Sequence, residues 1–163
     1  MSEPDETTTP NDPVPRSATG ERPEFALALR RGRTRLKGLV ANSDEQVRRK
    51  LGEILGQCGL APVFASTVAE SGTALARHEV CVALCSDCLA DGSYVHILRL
   101  AGQSDTKVPV IVVSRTGDWP EYLTAIRCGA FDYLAYPPIA AELQRVIRNA
   151  LLGYRRQRRL EGA

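Results

Sequence analysis

Residues 108–113 read VPVIVV, which is the most β-branched stretch of the chain. A second apolar run, VCVALC, covers residues 80–85 and shows no alternation of polar and apolar side chains. Continuous apolar runs of this length are typical of parallel strands that helices cover on both faces. Both runs therefore predict central strands of an α/β protein.

Segments with the helical spacing of apolar side chains alternate with such runs. The first follows residues 36–41, with apolar side chains at offsets of 0, 4, 7 and 8 from Val47. Capping boxes that begin at Ser43 and Thr67 predict the starts of the first two helices. The five predicted strands cover residues 36–41, 61–65, 80–85, 108–113 and 131–135, and a predicted helix follows each of them.

Five strand–helix pairs predict an α/β fold with a doubly wound, five-stranded parallel sheet. Helical crossovers most often give such a sheet the flavodoxin-like (βα)5 order 2-1-3-4-5. Ligands of these folds bind beyond the carboxyl ends of the central strands. The polar positions at those ends are Asn42, Ser43 and Asp44 after the first strand, Ser86 and Asp87 after the third, Ser114 after the fourth, and Tyr136 with Pro137 after the fifth.

The two ends of the chain have a different composition. Five of the ten prolines lie in the first 23 residues, and six acids balance six arginines within residues 1–35. We expect residues 1–35 to form a disordered or linking tail, with a short helix over residues 23–31. One domain then covers residues 36–152, and residues 153–163 are expected to form a basic C-terminal tail.

The charge pattern and the apolar runs exclude several classes of partner. The net charge is +2, and the predicted domain is nearly neutral, which argues against a surface that binds nucleic acid. No run approaches the roughly 20 apolar residues of a membrane-spanning helix, and the N-terminus begins with acids and prolines. We therefore expect a cytoplasmic protein that binds neither nucleic acid nor membranes.

Five cysteines, an odd number without an export signal, indicate reduced thiols. Cys85 and Cys88 have CxxC spacing, but the sequence has no second pair, and His78 and His96 are not at a recognisable ligand spacing. Cysteine often serves as a small apolar core residue. We therefore expect buried structural thiols and no metal centre.

A longer motif joins the fourth helix to the fifth strand. Residues 125–134 read AIRCGAFDYL, which matches the A-x-x-x-G-A-x-D-Y-L run of response regulator receiver domains, the phosphoacceptors of two-component signalling. Residues 109–114 (PVIVVS) are similar to the fourth strand of that family, and residues 89–92 (LADG) resemble a shortened form of its loop after the third strand. The resemblance covers residues 36–152. It implies a non-enzymatic phosphorelay domain that binds a histidine kinase, an output protein or a second copy of itself.

The resemblance also implies a phosphorylation pocket, and most of its positions are changed here. In the family, two acids after strand one hold Mg²⁺, an aspartate ending strand three accepts the phosphoryl group, a hydroxyl ends strand four, and a lysine precedes a proline after strand five. The cation and the ammonium offset the negative charges that phosphoryl transfer brings together. The matching positions here are Asn42 with Ser43, Ser86, Ser114 and Tyr136, so only the hydroxyl is kept.

We therefore expect an atypical receiver, or pseudo-receiver, that acts through protein–protein interaction without aspartyl phosphorylation and without a cofactor. Asp44 and Asp87 each lie one place late, and side chains alternate at a strand's end, so both are expected to point away from the pocket. Two carboxylates and a cationic group should then not meet at this edge. The alternative is a conventional phosphoacceptor that uses Asp87, with Mg²⁺ held by Asp44 and Asp87.

A second alternative is a flavodoxin-like domain that binds a nucleotide or a flavin. Such a domain needs a loop rich in Gly, Ser or Thr after the first strand to hold phosphate. Residues 41–44 read ANSD and do not supply that loop.

The resemblance also implies roles for several aromatic side chains. Tyr136 is expected to fill the space of the lysine and to bond Ser114 or Ser86, and its peptide bond to Pro137 is expected to be cis. Tyr133 matches an aromatic position that turns inward when a receiver is switched. The partner surface is expected on the fourth helix, fifth strand and fifth helix, with Tyr122, Tyr133 and Arg145 as its residues.

Overall fold

The structure, a computed structural model, describes residues 35–104 and 107–162. Five parallel strands form its main sheet, in the order β2-β1-β3-β4-β5. The strands are Lys37–Ala41 (β1), Ala61–Ala65 (β2), Val80–Ser86 (β3), Val110–Ser114 (β4) and Asp132–Ala135 (β5). The predicted fold class and strand order are confirmed.

Helices cover both faces of the sheet. They are Glu45–Gln57 (α1), Val68–Arg77 (α2), Tyr94–Gln103 (α3), Trp119–Arg127 (α4) and Ala140–Glu161 (α5). Successive strand residues serve opposite faces, so Val40 packs in the core with α1 and α5 while Leu39 packs in the core with α2, α3 and α4. None of the helices in the described ranges is long and apolar enough to cross a membrane.

The beginnings of two helices differ from the capping boxes read in the sequence. Asp44, not Ser43, is the N-cap of α1, and its side chain accepts from the backbone N–H groups of Gln46 and Val47. The shift arises because Asn42 Oδ1 accepts from the backbone N–H of Asp44 at 2.8 Å, so this side-chain turn delays the helix by one residue.

At α2 the first half of the predicted capping box is correct. Thr67 is the N-cap, and its hydroxyl accepts from the backbone N–H of Glu70. The Glu70 carboxylate, however, accepts from the backbone N–H and the hydroxyl of Ser66 instead of the N–H of Thr67. The helix therefore begins where expected, with a different partner for its acidic residue.

The last helix extends beyond residue 152, where the predicted domain ends. α5 continues to Glu161, so the described part of the predicted basic tail is almost entirely helical. Tyr154 is buried on the same face as Leu143 and Leu151, and Arg158 forms an ion pair with Glu79 just before β3. The predicted N-terminal tail, apart from Arg35, and the helix at residues 23–31 lie outside the described residues.

Two smaller expectations are corrected. The predicted loop after β3 contains a two-residue ladder between Cys88–Leu89 and Gly92–Ser93. The thiols of Cys58, Cys81 and Cys85 are buried, and burial raises the pKa of Cys81 to about 12. Cys88 and Cys128 are exposed, so not every cysteine is a core residue.

Candidate functional site

A cleft of about 470 Å³ opens at the edge of the sheet where β1, β3, β4 and β5 end. Its lining consists of Asn42, Ser43, Asp44, Val47, Ser86, Asp87, Val113, Arg115 and Tyr136. Six of these nine positions are site residues predicted from the sequence. The two other predicted residues, Ser114 and Pro137, lie next to lining residues and do not themselves line the cleft.

The segment after β1 is organised by Asn42. This residue is 8% exposed, and its side chain is used in the turn that presents Asp44. Its carbonyl oxygen accepts from Arg48 Nη1 at 2.6 Å. Asn42 therefore shapes the backbone of the cleft, while the exposed side chain of Ser43 faces its opening.

Asp44 carries an ion pair that the sequence analysis missed. Its Oδ2 atom accepts from Arg115 Nη2 at 3.0 Å, and its Oδ1 atom accepts from the N–H of Gln46 at 2.9 Å. The hydrogen bond from Gln46, with the further help of Val47 and Arg115, lowers the pKa of Asp44. Asp44 and Arg115 are 71 positions apart in sequence, so no local pattern could have paired them.

The end of β3 places Ser86 and Asp87 side by side at the cleft. The Ser86 hydroxyl donates to Asp87 Oδ1 at 3.2 Å, and both side chains are half-buried. The expectation that Asp44 and Asp87 point away is wrong, since both line the cleft together with the Arg115 guanidinium. Both acids and the guanidinium therefore line one cleft, although the ion pair joins only Asp44 and Arg115. Asp44 and Asp87 lie in turns beyond the strands, where the strict alternation of side chains has ended.

The hydroxyl that ends β4 is kept but is used within its own loop. Ser114 is fully buried, and its Oγ atom lies 3.0 Å from Thr116 Oγ1 and accepts from the Thr116 backbone N–H. This is a local side-chain turn of the kind that serine commonly forms. It holds the loop that presents Arg115.

The expectations for Tyr136 are confirmed only in part. The peptide bond between Tyr136 and Pro137 is cis, as expected. The expected hydrogen bond from Tyr136 to Ser114 or Ser86 is wrong. Ser86 bonds Asp87 instead, and Ser114 bonds Thr116. The ring instead lies under the Arg115 guanidinium, with 5.9 Å between the guanidinium carbon and the ring centroid.

The predicted partner surface contains a ladder of three aromatic rings. Tyr133 is buried and packs edge to face against half-buried Tyr122, with ring centroids 6.2 Å apart. Tyr122 stacks on Trp119 at 5.2 Å, and Trp119 is 69% exposed. Leu123 and Ile126 are also exposed apolar residues of α4, and they lie at offsets of 4 and 7 from Trp119. We call Trp119, Leu123 and Ile126 the α4 stripe.

Of the three residues expected at that surface, the structure exposes Arg145, half-buries Tyr122 and buries Tyr133. Within the described residues the Tyr133 hydroxyl has no hydrogen-bond partner. Trp119 was missed, although the spacing of Trp119, Leu123 and Ile126 is a helical signal that could have found it.

No protein-family model matches the chain. Over 118 residues the chain is 28% identical to response regulator protein PilR of Pseudomonas aeruginosa. The match covers 72% of this chain and 26% of PilR, so the chain spans about a quarter of the length of that relative.

Solved structures give the same fold. The beryllofluoride-activated NtrC4 receiver domain dimer matches with a TM-score of 0.67 and 24% identity, over 72% of this chain and 98% of that one. A response regulator receiver domain protein from Clostridium thermocellum matches with a TM-score of 0.67 and 24% identity, over 74% and 97%. The described residues therefore have the fold of response regulator receiver domains.

The resemblance to receiver domains implies a magnesium ion at the acidic side of the cleft, and the residues present do not fit one. Both oxygens of the Asp44 carboxylate are in use, one by the beginning of α1 and the other by Arg115. One oxygen of Asp87 accepts from Ser86. Within residues 35–104 and 107–162, no three His, Cys, Asp or Glu side chains are grouped so that they could hold a metal ion.

Proposed function

We propose that the described domain is a degenerate receiver domain, which takes part in two-component signalling through protein contacts and without an aspartyl phosphate. It would need no cofactor and would catalyse no reaction of its own. The observation that carries the proposal is the ion pair between Asp44 and Arg115, which occupies one oxygen of the carboxylate that follows β1. The aromatic ring of Tyr136 at the position of the lysine supports the same conclusion.

The charge balance explains why phosphoryl transfer is disfavoured. A phosphoryl group on Asp87 would add negative charge to a cleft that holds two carboxylates, and only the Arg115 guanidinium lies among the lining residues to offset it. That guanidinium is already paired with Asp44 at 3.0 Å. Without a divalent cation and a free ammonium, the developing charge is poorly stabilised.

The α4 stripe is the surface we propose for the protein partner. An exposed tryptophan beside two half-exposed aliphatic side chains is the type of anchor that dominates binding at protein interfaces. The stacked rings behind it connect that anchor to the core through Tyr122 and Tyr133. Contact at the stripe would therefore be transmitted to the sheet by packed side chains.

Incubation with acetyl phosphate and MgCl₂, followed by intact-protein mass spectrometry, tests this function. We expect no added phosphoryl group on the wild-type chain. The alternative receives specific support from the position of Asp87 at the cleft, and it predicts Mg²⁺-dependent labelling that disappears in Asp87→Ala and persists in Asp118→Ala, a matched change outside the cleft. That result would overturn the proposal.

A further inference from the structure

We infer that Arg115 is the resident cation of the cleft, and that its guanidinium takes the place at which a divalent cation would otherwise contact Asp44 and Asp87. The inference rests on the proposed function and deepens it. It gives a cause for the misfit between the acidic edge and a magnesium ion.

Arg115 makes two contacts across the cleft, while its side chain remains 68% exposed. It follows directly after the buried end of β4, and its guanidinium reaches across to Asp44, which follows β1. Its other contact is the face of Tyr136, which follows β5. Arginine suits such a position because its planar cation can pair with a carboxylate and lie over an aromatic ring at the same time.

The presence of Tyr136 and the role of Arg115 explain each other. A lysine at position 136 would bring a second cation close to Arg115 and repel it. A tyrosine there removes that charge and supplies an aromatic face. The resembled family has its cation, a lysine, after strand five, whereas the cation of this cleft is Arg115, which follows β4.

The other charged side chains of the cleft explain why the Arg115 guanidinium would exclude a divalent cation. The charged side chains that line the cleft are Asp44, Asp87 and Arg115. The nearby Arg48 does not line the cleft, because it bonds the carbonyl of Asn42. Removing the charge of Arg115 would leave two carboxylates facing one cleft and would free Asp44 Oδ2, and hard divalent cations prefer such oxygen atoms.

Magnesium titrations of the full chain, followed by amide NMR spectra, test the inference with three variants. In Arg115→Gln we expect shifts at residues 42–44 and 86–87 that saturate, with an affinity about tenfold or more above that of the wild-type chain, as removing a unit charge beside a divalent ion implies. Arg115→Lys keeps the charge, so its magnesium affinity should stay close to that of wild type although the contact with the Tyr136 ring is weakened. Arg127→Gln, a matched loss of an exposed arginine on α4, should also keep the wild-type affinity.

Adding Asp44→Asn to Arg115→Gln should abolish the gained affinity, because the freed carboxylate is then gone. Equal affinities in wild type and Arg115→Gln would overturn the inference, and so would a gain that survives Asp44→Asn. Thermal melts of each variant without magnesium confirm that it is folded. Labelling by acetyl phosphate is scored separately, so labelling of wild type refutes the proposed function, whereas an unchanged magnesium affinity without labelling refutes only the role of Arg115.

Discussion

Single carboxylates at the ends of helices hold the loops around the cleft. Asp91, in the loop after β3, accepts from the backbone N–H groups of Val68 at 2.7 Å and Ala69 at 3.1 Å. It thereby caps the beginning of α2 from a different part of the chain. The hydrogen bond from Val68, with a smaller contribution from Ala69, lowers the pKa of Asp91. This contact ties the loop that carries Asp87 to the neighbouring helix.

Replacing Asp91 by alanine should destabilise the domain at neutral pH and have little effect in acid. Because the folded-state pKa is depressed, the carboxylate contributes its full stability above the ordinary value of 3.8, and the contribution is lost as the pH falls through the folded value. Urea unfolding of wild type and Asp91→Ala at neutral pH and below the ordinary value measures this. The difference between the two unfolding midpoints should shrink in acid.

Asp118→Ala is the control for this experiment. Asp118 is the N-cap residue of α4, yet its side chain makes no capping hydrogen bond. Its loss should cost less than the loss of Asp91 at neutral pH. A difference between wild type and Asp91→Ala that does not vary with pH would show that the carboxylate bonds to α2 are not its cause.

The residue scale is also where the sequence was least informative. Ser43 and Asp44 are both good capping residues, and the choice between them depends on a turn made by Asn42. Arg115 stands at a strand end that the sequence identified, but its partner lies 71 positions away. A long flexible side chain can reach many partners, so its pairing depends on which strands are neighbours in the sheet.

The elements themselves follow closely from the sequence. Buried parallel strands appear in the sequence as long β-branched runs, such as residues 110–113 of β4. The helices that cover them appear as a regular spacing of apolar residues. Gly59 and Gly129 follow the ends of α1 and α4, and their φ angles of 83° and 101° favour glycine. The α4 stripe was missed because its apolar side chains face outward and were not needed to explain the core.

Trp119 is the only tryptophan of the chain and reports directly on the α4 stripe. Its fluorescence should be that of a water-exposed indole in the free protein. It should shift to shorter wavelength when a histidine kinase or output protein binds, or when a second copy binds at raised protein concentration. Leu123→Ser should weaken this binding by about tenfold or more, as the loss of a central apolar contact does.

The control is Ile139→Ser, because Ile139 is likewise an exposed aliphatic residue and lies just before α5, outside the stripe. It should leave the affinity unchanged. Binding of any of these partners without a change in the emission of Trp119 would contradict the assignment of the stripe as the partner surface.

At the scale of the whole molecule, α5 runs from the carboxyl ends of the strands to their amino ends. It begins beside the cleft, after Pro137 and Pro138, and ends near Glu79, which precedes β3. Tyr154 lies 11 positions after Leu143 and continues the buried face of the helix, a signal that the sequence contained. The predicted domain ended at residue 152, and the helix continues to Glu161.

Tyr154→Ala should lower the free energy of unfolding by about 2–4 kcal/mol, because it leaves a cavity under the end of α5. Leu152→Ala should change it by less than about 0.5 kcal/mol, because that side chain is mostly exposed. Chemical denaturation of both variants measures the difference. Equal effects would mean that α5 is not packed on the sheet beyond residue 152.

The fate of a phosphoryl group at the cleft decides the account as a whole. Beryllofluoride with Mg²⁺ imitates an aspartyl phosphate, so the direct measurement is a titration of the full chain followed by amide NMR spectra. We predict that the signals of Asp87, Ser114 and Tyr133 do not change. Saturable shifts at Asp87 that extend to Tyr133 and α4 would contradict the account and would identify a conventional phosphoacceptor.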